Sequence, residues 1–154
     1  MQDHTLPAPL LTAFDGDHLE MHADGAIRIS TVSADGWPHG AQLSVGEVLA
    51  VDPQTLLVAM WPNSNTAHNM ARDGRLTLSL VDDGALLEIR ARASLVAEQQ
   101  TALNLSVFSL HIERVDVHRA KYADVLSGVT FRLHERESVI SRWREQIAML
   151  RTHV

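Results

Sequence analysis

Polar residues that could bind a ligand are concentrated in one short segment, "WPNSNTAHNMARDG", at residues 61–74. Ser64 has the residue type and position of a helix N-cap, whose hydroxyl accepts a backbone N–H two or three residues later. Position 67 is alanine, so no Glu or Gln completes a capping box and the early amides keep free donors. A helix start with free N–H groups and partial positive charge suits a phosphate. The segment therefore predicts either a capped surface helix or an anion site with donors on Ser64, Asn65, Thr66 and Asn69.

The nine histidines raise the question of a metal site. His18 and His22 are four residues apart and could share a helix face near Asp15, but the helix signal is weak and no H-E-x-x-H pattern occurs. We therefore predict no metal site. His39 and His68 are interpreted as solvated or capping side chains, with proton donation to a bound ligand as the alternative.

Sequence signatures of other catalytic sites are absent from the chain. It has no G-x-S-x-G elbow, G-x-G-x-x-G run or Walker sequence, and no cysteine to serve as a nucleophile or metal ligand. We therefore assign no catalytic side chain.

The charge balance limits the partners that the protein can have. The net charge is -6, and no stretch concentrates Lys and Arg, which argues against nucleic acid and anionic membranes. The amino terminus lacks a basic region followed by an apolar core, and no apolar run reaches membrane length. These features predict a cytoplasmic protein.

The pattern of strands and turns predicts a small antiparallel barrel. Residues 26–33 alternate between two faces, and Asp35-Gly36 supplies a hairpin turn. Residues 37–52 are predicted as one long second strand with bulges at Gly40 and Gly46. Four further strands are predicted at 55–61, 75–82, 85–98 and 103–119. Six strands with short links and one short helix predict a mainly β fold with flanking helices (α+β), built on a six-stranded antiparallel barrel.

The 154 residues are expected to form one domain in three parts. Residues 1–25 are predicted as an N-terminal arm with a short helix at about 17–24, and residues 26–119 as the barrel. Residues 120–154 are predicted as a C-terminal helical segment whose first ten residues make one or two helical turns. The apolar spacing in "ESVISRWREQIAMLR" at 137–151 predicts a helix that packs on the barrel, with contact to a dimer partner as the alternative.

Three short motifs occur in order along the chain: Thr31-Val32 on the first strand, Asp35-Gly36-Trp37-Pro38 at the hairpin, and Ser64-Asn65-Thr66-Ala67 after an apolar strand. In this order they resemble the FMN-binding split-barrel family that includes the pyridoxamine 5'-phosphate oxidases, over about residues 26–120. The resemblance implies a split-barrel homodimer that binds FMN at the subunit interface and acts on a small molecule.

The resemblance also implies which residues contact the cofactor. The isoalloxazine ring would lie beside the second strand, at Gln42, Leu43 and Ser44. The ribityl chain and phosphate would lie at the end of the third strand and the turn after it, at Met60, Trp61, Ser64, Asn65 and Thr66, with Asn69 as a further donor. Trp61 ends a strand beside the helix start, which favours contact with a planar cofactor.

The chain departs from the family pattern at its cationic positions. The oxidases carry an Arg and a Lys on the second strand and an Arg-Lys pair after the turn serine, where this chain has Ala41, Gly46 and Asn65-Thr66. Because charge-assisted hydrogen bonds are about twice as strong as neutral ones, phosphate binding should be weakened. The oxidase activity itself is not expected, since its substrate phosphate also needs basic residues. Replacement cations could come from Arg72, Arg75, Arg90 or Arg92.

Two hypotheses about function result. The first is a small oxidoreductase in which FMN exchanges a hydride or electrons with an unknown substrate. Related split barrels host a deazaflavin or haem, and either is a variant of this hypothesis. The second hypothesis is a non-catalytic dimeric binding module with weak or lost cofactor binding.

Overall fold

The computed structural model of the protein describes residues 3–97 and 103–154. Three α-helices are present: α1 (Ala8–Ala13), α2 (Asn65–Arg72) and α3 (Arg136–Arg151). The strands are β1 (Ile27–Val32), β2 (Pro38–Leu43), β3 (Val48–Asp52), β4 (Thr55–Met60), β5 (Arg75–Asp82), β6 (Ala85–Ala97) and β7 (Ser106–His118). The prediction of a mainly β fold with flanking helices is confirmed. The end of the strand predicted at 85–98 lies, at residue 98, outside the described residues.

All seven strands form one antiparallel sheet in the order β2-β1-β5-β6-β7-β4-β3. Its two edge strands, β2 and β3, are consecutive in sequence. A flat sheet of this width would separate them by about 29 Å, whereas the five residue steps from Leu43 to Val48 reach at most about 18 Å. The sheet must therefore curve so that its edges approach each other, which gives a barrel around an apolar core.

The predicted long second strand is wrong, because the chain breaks it into β2 and β3. A 3-10 turn at Val45–Glu47 separates the two strands, so the sheet has seven strands rather than six. Gly40 makes no bulge, since β2 pairs with β1 in unbroken register from Leu43 to Pro38. Gly46 lies in the 3-10 turn instead of a bulge, directly against Trp143.

The amino-terminal helix lies earlier than predicted. The expected helix at 17–24 is reduced to a 3-10 turn at Glu20–His22, and α1 lies in the segment predicted as an irregular arm. Pro7 and Pro9 led to that interpretation, but proline is compatible with the first turn of a helix, where backbone N–H groups have no intrahelical acceptor.

The predicted helical turns at 120–129 are also wrong. This segment is extended, and the backbone N–H of Val125 donates to Gly84 O, while Phe131, just beyond it, donates to Asp24 O. Bonds of this kind to the barrel replace the local hydrogen bonds that a helix would need.

Helix α3 packs on the barrel as predicted. It buries Ile140, Trp143, Ile147 and Leu150 against the 3-10 turn at Val45–Glu47 and strands β3 and β4. Among the described residues, no helix is long and apolar enough to cross a membrane.

Candidate functional site

The start of helix α2 has the capped geometry that the sequence predicts. Ser64 Oγ accepts the backbone N–H of Ala67 at 3.1 Å and donates to the carbonyl oxygen of Trp61 at 2.9 Å. The Ser64 hydroxyl is therefore fully used inside the turn. The amides of Asn65 and Thr66, in the first helical turn, have no intrahelical acceptor and can serve an anion.

An aromatic ring and a cation lie beside this helix start. The side chain of Trp61 is 59% exposed, and the guanidinium carbon of Arg142 lies 5.7 Å from its ring centroid. Such a separation is within the range of a cation–π interaction. Arg142 belongs to α3, where its Nε also donates to Gln146 Oε1 at 3.3 Å. The sequence analysis missed Arg142, and the only local signal was its place next to the buried Trp143.

The 3-10 turn after β2 is held by a capping box. The backbone N–H and the hydroxyl of Ser44 donate to Glu47 Oε1 at 2.9 and 2.8 Å. Gln146 Nε2 donates to Gly46 O at 2.9 Å, which joins the turn to α3. The Ser44 hydroxyl and amide therefore stabilise this turn, at the position where the family resemblance places the flavin ring.

Glu47 should make stability depend on pH. It is half-buried, and burial raises its pKa, against the lowering effects of the Ser44 hydrogen bonds and Arg142. A carboxyl with a raised folded-state pKa binds more protons in the folded state, so stability falls as pH rises from the unfolded-chain pKa through the raised value. Glu47→Gln keeps the acceptor oxygen but does not titrate. We expect its free energy of unfolding, relative to wild type, to rise with pH across this window and then level off.

Urea denaturation from about pH 4 to about pH 8 measures this difference. Glu145→Gln, on the exposed face of the same helix as Arg142, is the matched control for the loss of one negative charge. Parallel pH profiles for wild type and Glu47→Gln would contradict the assignment.

The residues predicted to bind the cofactor divide into an exposed and a buried set. Trp61 and Asn65 are exposed at the β4–α2 turn, where Ser64 is half-buried, and Gln42 is exposed on edge strand β2. The side chains of the others are buried: Leu43, Ser44, Met60, Thr66 and Asn69.

Asn69 has partners within the protein. Its Nδ2 donates to Thr31 Oγ1 at 3.0 Å, and its Oδ1 accepts from Arg72 Nη1 at 3.2 Å. The structure places the Asn69 amide between α2 and β1, where it holds the helix to the sheet.

The four replacement cations considered from sequence do not lie at the start of α2. Arg72, in the last turn of the helix, donates to Val32 O. Arg75 pairs with Asp73 at 2.7 Å and is the main cause that lowers the pKa of Asp73 to about 2. Arg90 and Arg92 point outward from β6. Arg142 is therefore the cation that the structure brings to Trp61.

The histidines considered as ligands are dispersed. His18 Nδ1 lies 2.8 Å from Asp15 Oδ2, a contact that raises the pKa of His18. In the part of the chain that the structure describes, no group of three or more potential ligands could hold a metal ion. His39 is half-buried on β2, and His68 is exposed on α2.

Sequence comparison identifies the family of this chain. The sequence profile of the pyridoxamine 5'-phosphate oxidase family matches residues 18–125. The uncharacterized protein YclD of Bacillus subtilis (strain 168) is 34% identical over 143 residues, which cover 92% of this chain and 93% of YclD.

Solved structures share the fold at low sequence identity. A Lactobacillus delbrueckii protein that carries the provisional name pyridoxamine 5'-phosphate oxidase has a TM-score of 0.58 and 20% identity, covering 74% of this chain and 95% of that one. An F420 reductase has a TM-score of 0.51, 13% identity and coverages of 65% and 97%. The heme storage protein HutZ of Vibrio cholerae has a TM-score of 0.51, 14% identity and coverages of 72% and 94%. The chain is a split barrel and belongs to the pyridoxamine 5'-phosphate oxidase family.

Proposed function

We propose that this protein binds FMN loosely and acts as a small flavin-dependent oxidoreductase. The observation that carries the proposal is the exposed ring of Trp61 beside both the start of α2 and the guanidinium of Arg142. A flat cofactor with an anionic end requires an aromatic or apolar wall next to positive charge and free N–H donors. The surface at the start of α2 meets that requirement.

The residues at this surface can bind FMN, but with lower affinity than the cationic residues of the family pattern would give. The amides of Asn65 and Thr66 and the exposed side chain of Asn65 can donate to a phosphate, and Arg142 adds one charge-assisted contact. Ala41 and Gly46 add none. We therefore expect affinity in the range of about 1 μM or weaker.

When bound, a flavin supplies hydride or electron transfer at N5. The residues of this chain would bind and orient the cofactor, and none is assigned a catalytic role. Pyridoxamine phosphate oxidation is not proposed, because positions 41, 46, 65 and 66 are all uncharged. The names of two structural relatives, F420 reductase and heme storage protein, make a deazaflavin or haem the alternative occupants.

We also propose that the protein is a homodimer in the cytoplasm. Tyr122 and Leu126 are each 93% exposed on the extended segment after β7, and large apolar side chains at such exposure are typical of a covered interface. Light scattering of the purified protein measures the dimer.

Titration with FMN, followed by quenching of flavin fluorescence, tests the proposal. The informative variant is Ser64→Asp, because aspartate is also a good N-cap but places a negative charge where the phosphate would bind. Aspartate keeps the acceptor for the Ala67 amide but loses the hydrogen bond to Trp61 O, so we expect Ser64→Asp to stay folded with a loss of stability of about 1 kcal/mol. We expect it to weaken FMN binding about tenfold, the equivalent of about 1.4 kcal/mol. Trp61→Ala should weaken binding about threefold to tenfold through lost ring contact.

Two controls separate a cofactor site from a helix cap. Trp37→Ala removes a tryptophan that is 74% exposed at the hairpin and should leave FMN affinity unchanged. Ser64→Ala should cost about 1 kcal/mol of stability through the lost cap. Equal FMN affinity in wild type and Ser64→Asp would reject the phosphate position.

A non-catalytic binding module is the second candidate. It is favoured because several side chains predicted to bind the cofactor are buried or hydrogen-bonded within the protein. The Ser64 hydroxyl is occupied by the cap, and Thr66 and Asn69 are buried. No saturable binding of FMN, haem or a deazaflavin to the wild-type protein would support this candidate over the first.

A further inference from the structure

The outer face of the sheet carries a concentration of arginines that contrasts with the acidity of the whole chain. The net charge is -6, yet five of the 13 basic residues lie on this face. They alternate with core residues along β1, β5, β6 and β7 and point away from the core: Arg28, Arg75, Arg90, Arg92 and Arg114.

Two cross-strand pairs on this face bring like charges together. Arg75 lies opposite Arg92, and Arg90 lies opposite Arg114. Like charges directly opposite each other destabilise a sheet. Asp73, Glu113 and Asp116 offset part of this repulsion, and a bound anion between the strands would offset more of it.

A cleft lies over this patch and is lined by three of the arginines. Its volume is about 420 Å³, and Gly36 and Pro38 of the β1–β2 hairpin form one wall. The hydroxyl-bearing Ser30 and Thr77 also line it, together with Arg75, Arg90, Arg92 and a single carboxylate, Glu113. The volume is within the range of small-molecule sites.

The arginines of this face differ in whether they form ion pairs. Arg75 pairs with Asp73, Arg92 with Glu113, and Arg114 with Asp116. Within residues 3–97 and 103–154, Arg90 forms no ion pair, and it lies next to Thr77 in the register of β5 and β6. Arg90 does interact at longer range with Asp116, whose pKa it helps Arg114 to lower. The cleft therefore has one guanidinium without an ion pair beside a hydroxyl.

We infer that this cleft is a second ligand site, which binds a small organic oxyanion, a phosphate monoester or a carboxylate, through Arg90, Thr77 and Ser30. Guanidinium groups bind both anions in a bidentate manner, and hydroxyls donate to the remaining oxygens. The residues that line the cleft include none from α2 or from the β4–α2 turn, where the proposed FMN surface lies. The inference does not depend on the cofactor.

Isothermal titration with phenyl phosphate and with benzoate tests this site, because the two probes share a ring and differ in the anion. We expect saturable binding of at least one probe, weakened about tenfold by Arg90→Gln and less by Thr77→Val. The probe that binds more tightly identifies the anion. The thermal midpoint of ligand-free Arg90→Gln should stay within about 2 °C of wild type, since its exposed guanidinium has no ion-pair partner to lose.

Arg132→Gln is the matched control, an exposed arginine outside the cleft, and it should leave both affinities unchanged. An equal loss in Arg132→Gln would mean non-specific attraction and would overturn the site. Absence of saturable binding by both probes, or full binding by Arg90→Gln, would also overturn it. Displacement of the bound probe by FMN would show that the two ligands share one site and would overturn the inference of a second site. If Ser64→Asp weakens FMN binding and Arg90→Gln does not, the two sites are distinct.

Discussion

Gly46→Ala is expected to lower the free energy of unfolding by about 3 kcal/mol, at the upper end of the cost of overpacking a core. A Cβ atom at position 46 would lie 2.0 Å from Trp143 Cγ and 2.3 Å from Trp143 Cδ1. Trp143 is buried, and Gly46 is fixed by the hydrogen bond from Gln146, so neither can yield without moving α3. Urea denaturation measures the loss.

The matched control is Gly128→Ala. A Cβ there would lie 3.6 Å from Val81 Cγ2, an ordinary contact, and should cost less than about 0.5 kcal/mol. Trp143→Ala alone should cost about 3 to 5 kcal/mol through the cavity it leaves. In that background Gly46→Ala should be nearly neutral, because the ring it collides with is gone. Strict additivity of the two substitutions would show that the collision is not the cause.

The same substitution connects the fold to the proposed site. Arg142 precedes Trp143, so any shift of α3 away from Gly46 also moves the guanidinium that faces Trp61. Gly46→Ala should therefore weaken FMN binding as well as stability. Unchanged FMN affinity in a folded Gly46→Ala protein would indicate that Arg142 contributes nothing to the cofactor surface.

The second large effect is expected at the buried hydrogen bond between Asn69 and Thr31. Both side chains are buried, and Asn69 Nδ2 donates to Thr31 Oγ1 at 3.0 Å. Either Asn69→Leu or Thr31→Val leaves the other polar group buried without its partner, which costs about 1 to 3 kcal/mol. Removing both partners should cost less than the sum of the single changes, by about 1 kcal/mol or more. Chemical denaturation of the four proteins in this cycle measures the coupling.

FMN titration of the double variant distinguishes the two roles considered for Asn69. If Asn69 acts only as a link between α2 and β1, a folded Thr31→Val/Asn69→Leu protein should bind FMN like wild type. A loss of affinity with an intact fold would assign Asn69 a direct role at the cofactor. A coupling energy near zero would contradict the structural role.

Sequence patterns that span only a few residues were sufficient to predict most of the helices and strands. Alternation of apolar residues predicted β1 and β5, Ser64 predicted the start of α2, and helical spacing predicted α3. These patterns depend on backbone periodicity and on capping within one turn, which the local sequence determines. The break between β2 and β3 also had a local signal, since Ser44-Val45-Gly46-Glu47 has the S-x-x-E form of a capping box, but the two glycines were interpreted as bulges instead.

The role of each glycine in that region could not be predicted from its neighbours. A Cβ at Gly40 would meet only the guanidinium of Arg28, at the end of a flexible side chain that can shift, whereas Gly46 is required by the buried ring of Trp143. Both contacts join residues that are distant in sequence or on another strand. A bulge and a close approach have the same local sequence, so only the packing distinguishes them.

The sequence by itself determined the barrel type, the family motifs and the candidate turn at Ser64, because each depends on residue types at short spacing. Only the tertiary structure decided which predicted ligands are free and which are buried, as for Asn65 and Asn69. It also brought Arg142 to Trp61, across 80 residues of chain, and placed Arg90 in a cleft of the outer face without an ion pair. The physical reason is that the curvature of the sheet and the docking of α3 set these distances, and neither is encoded in any local stretch.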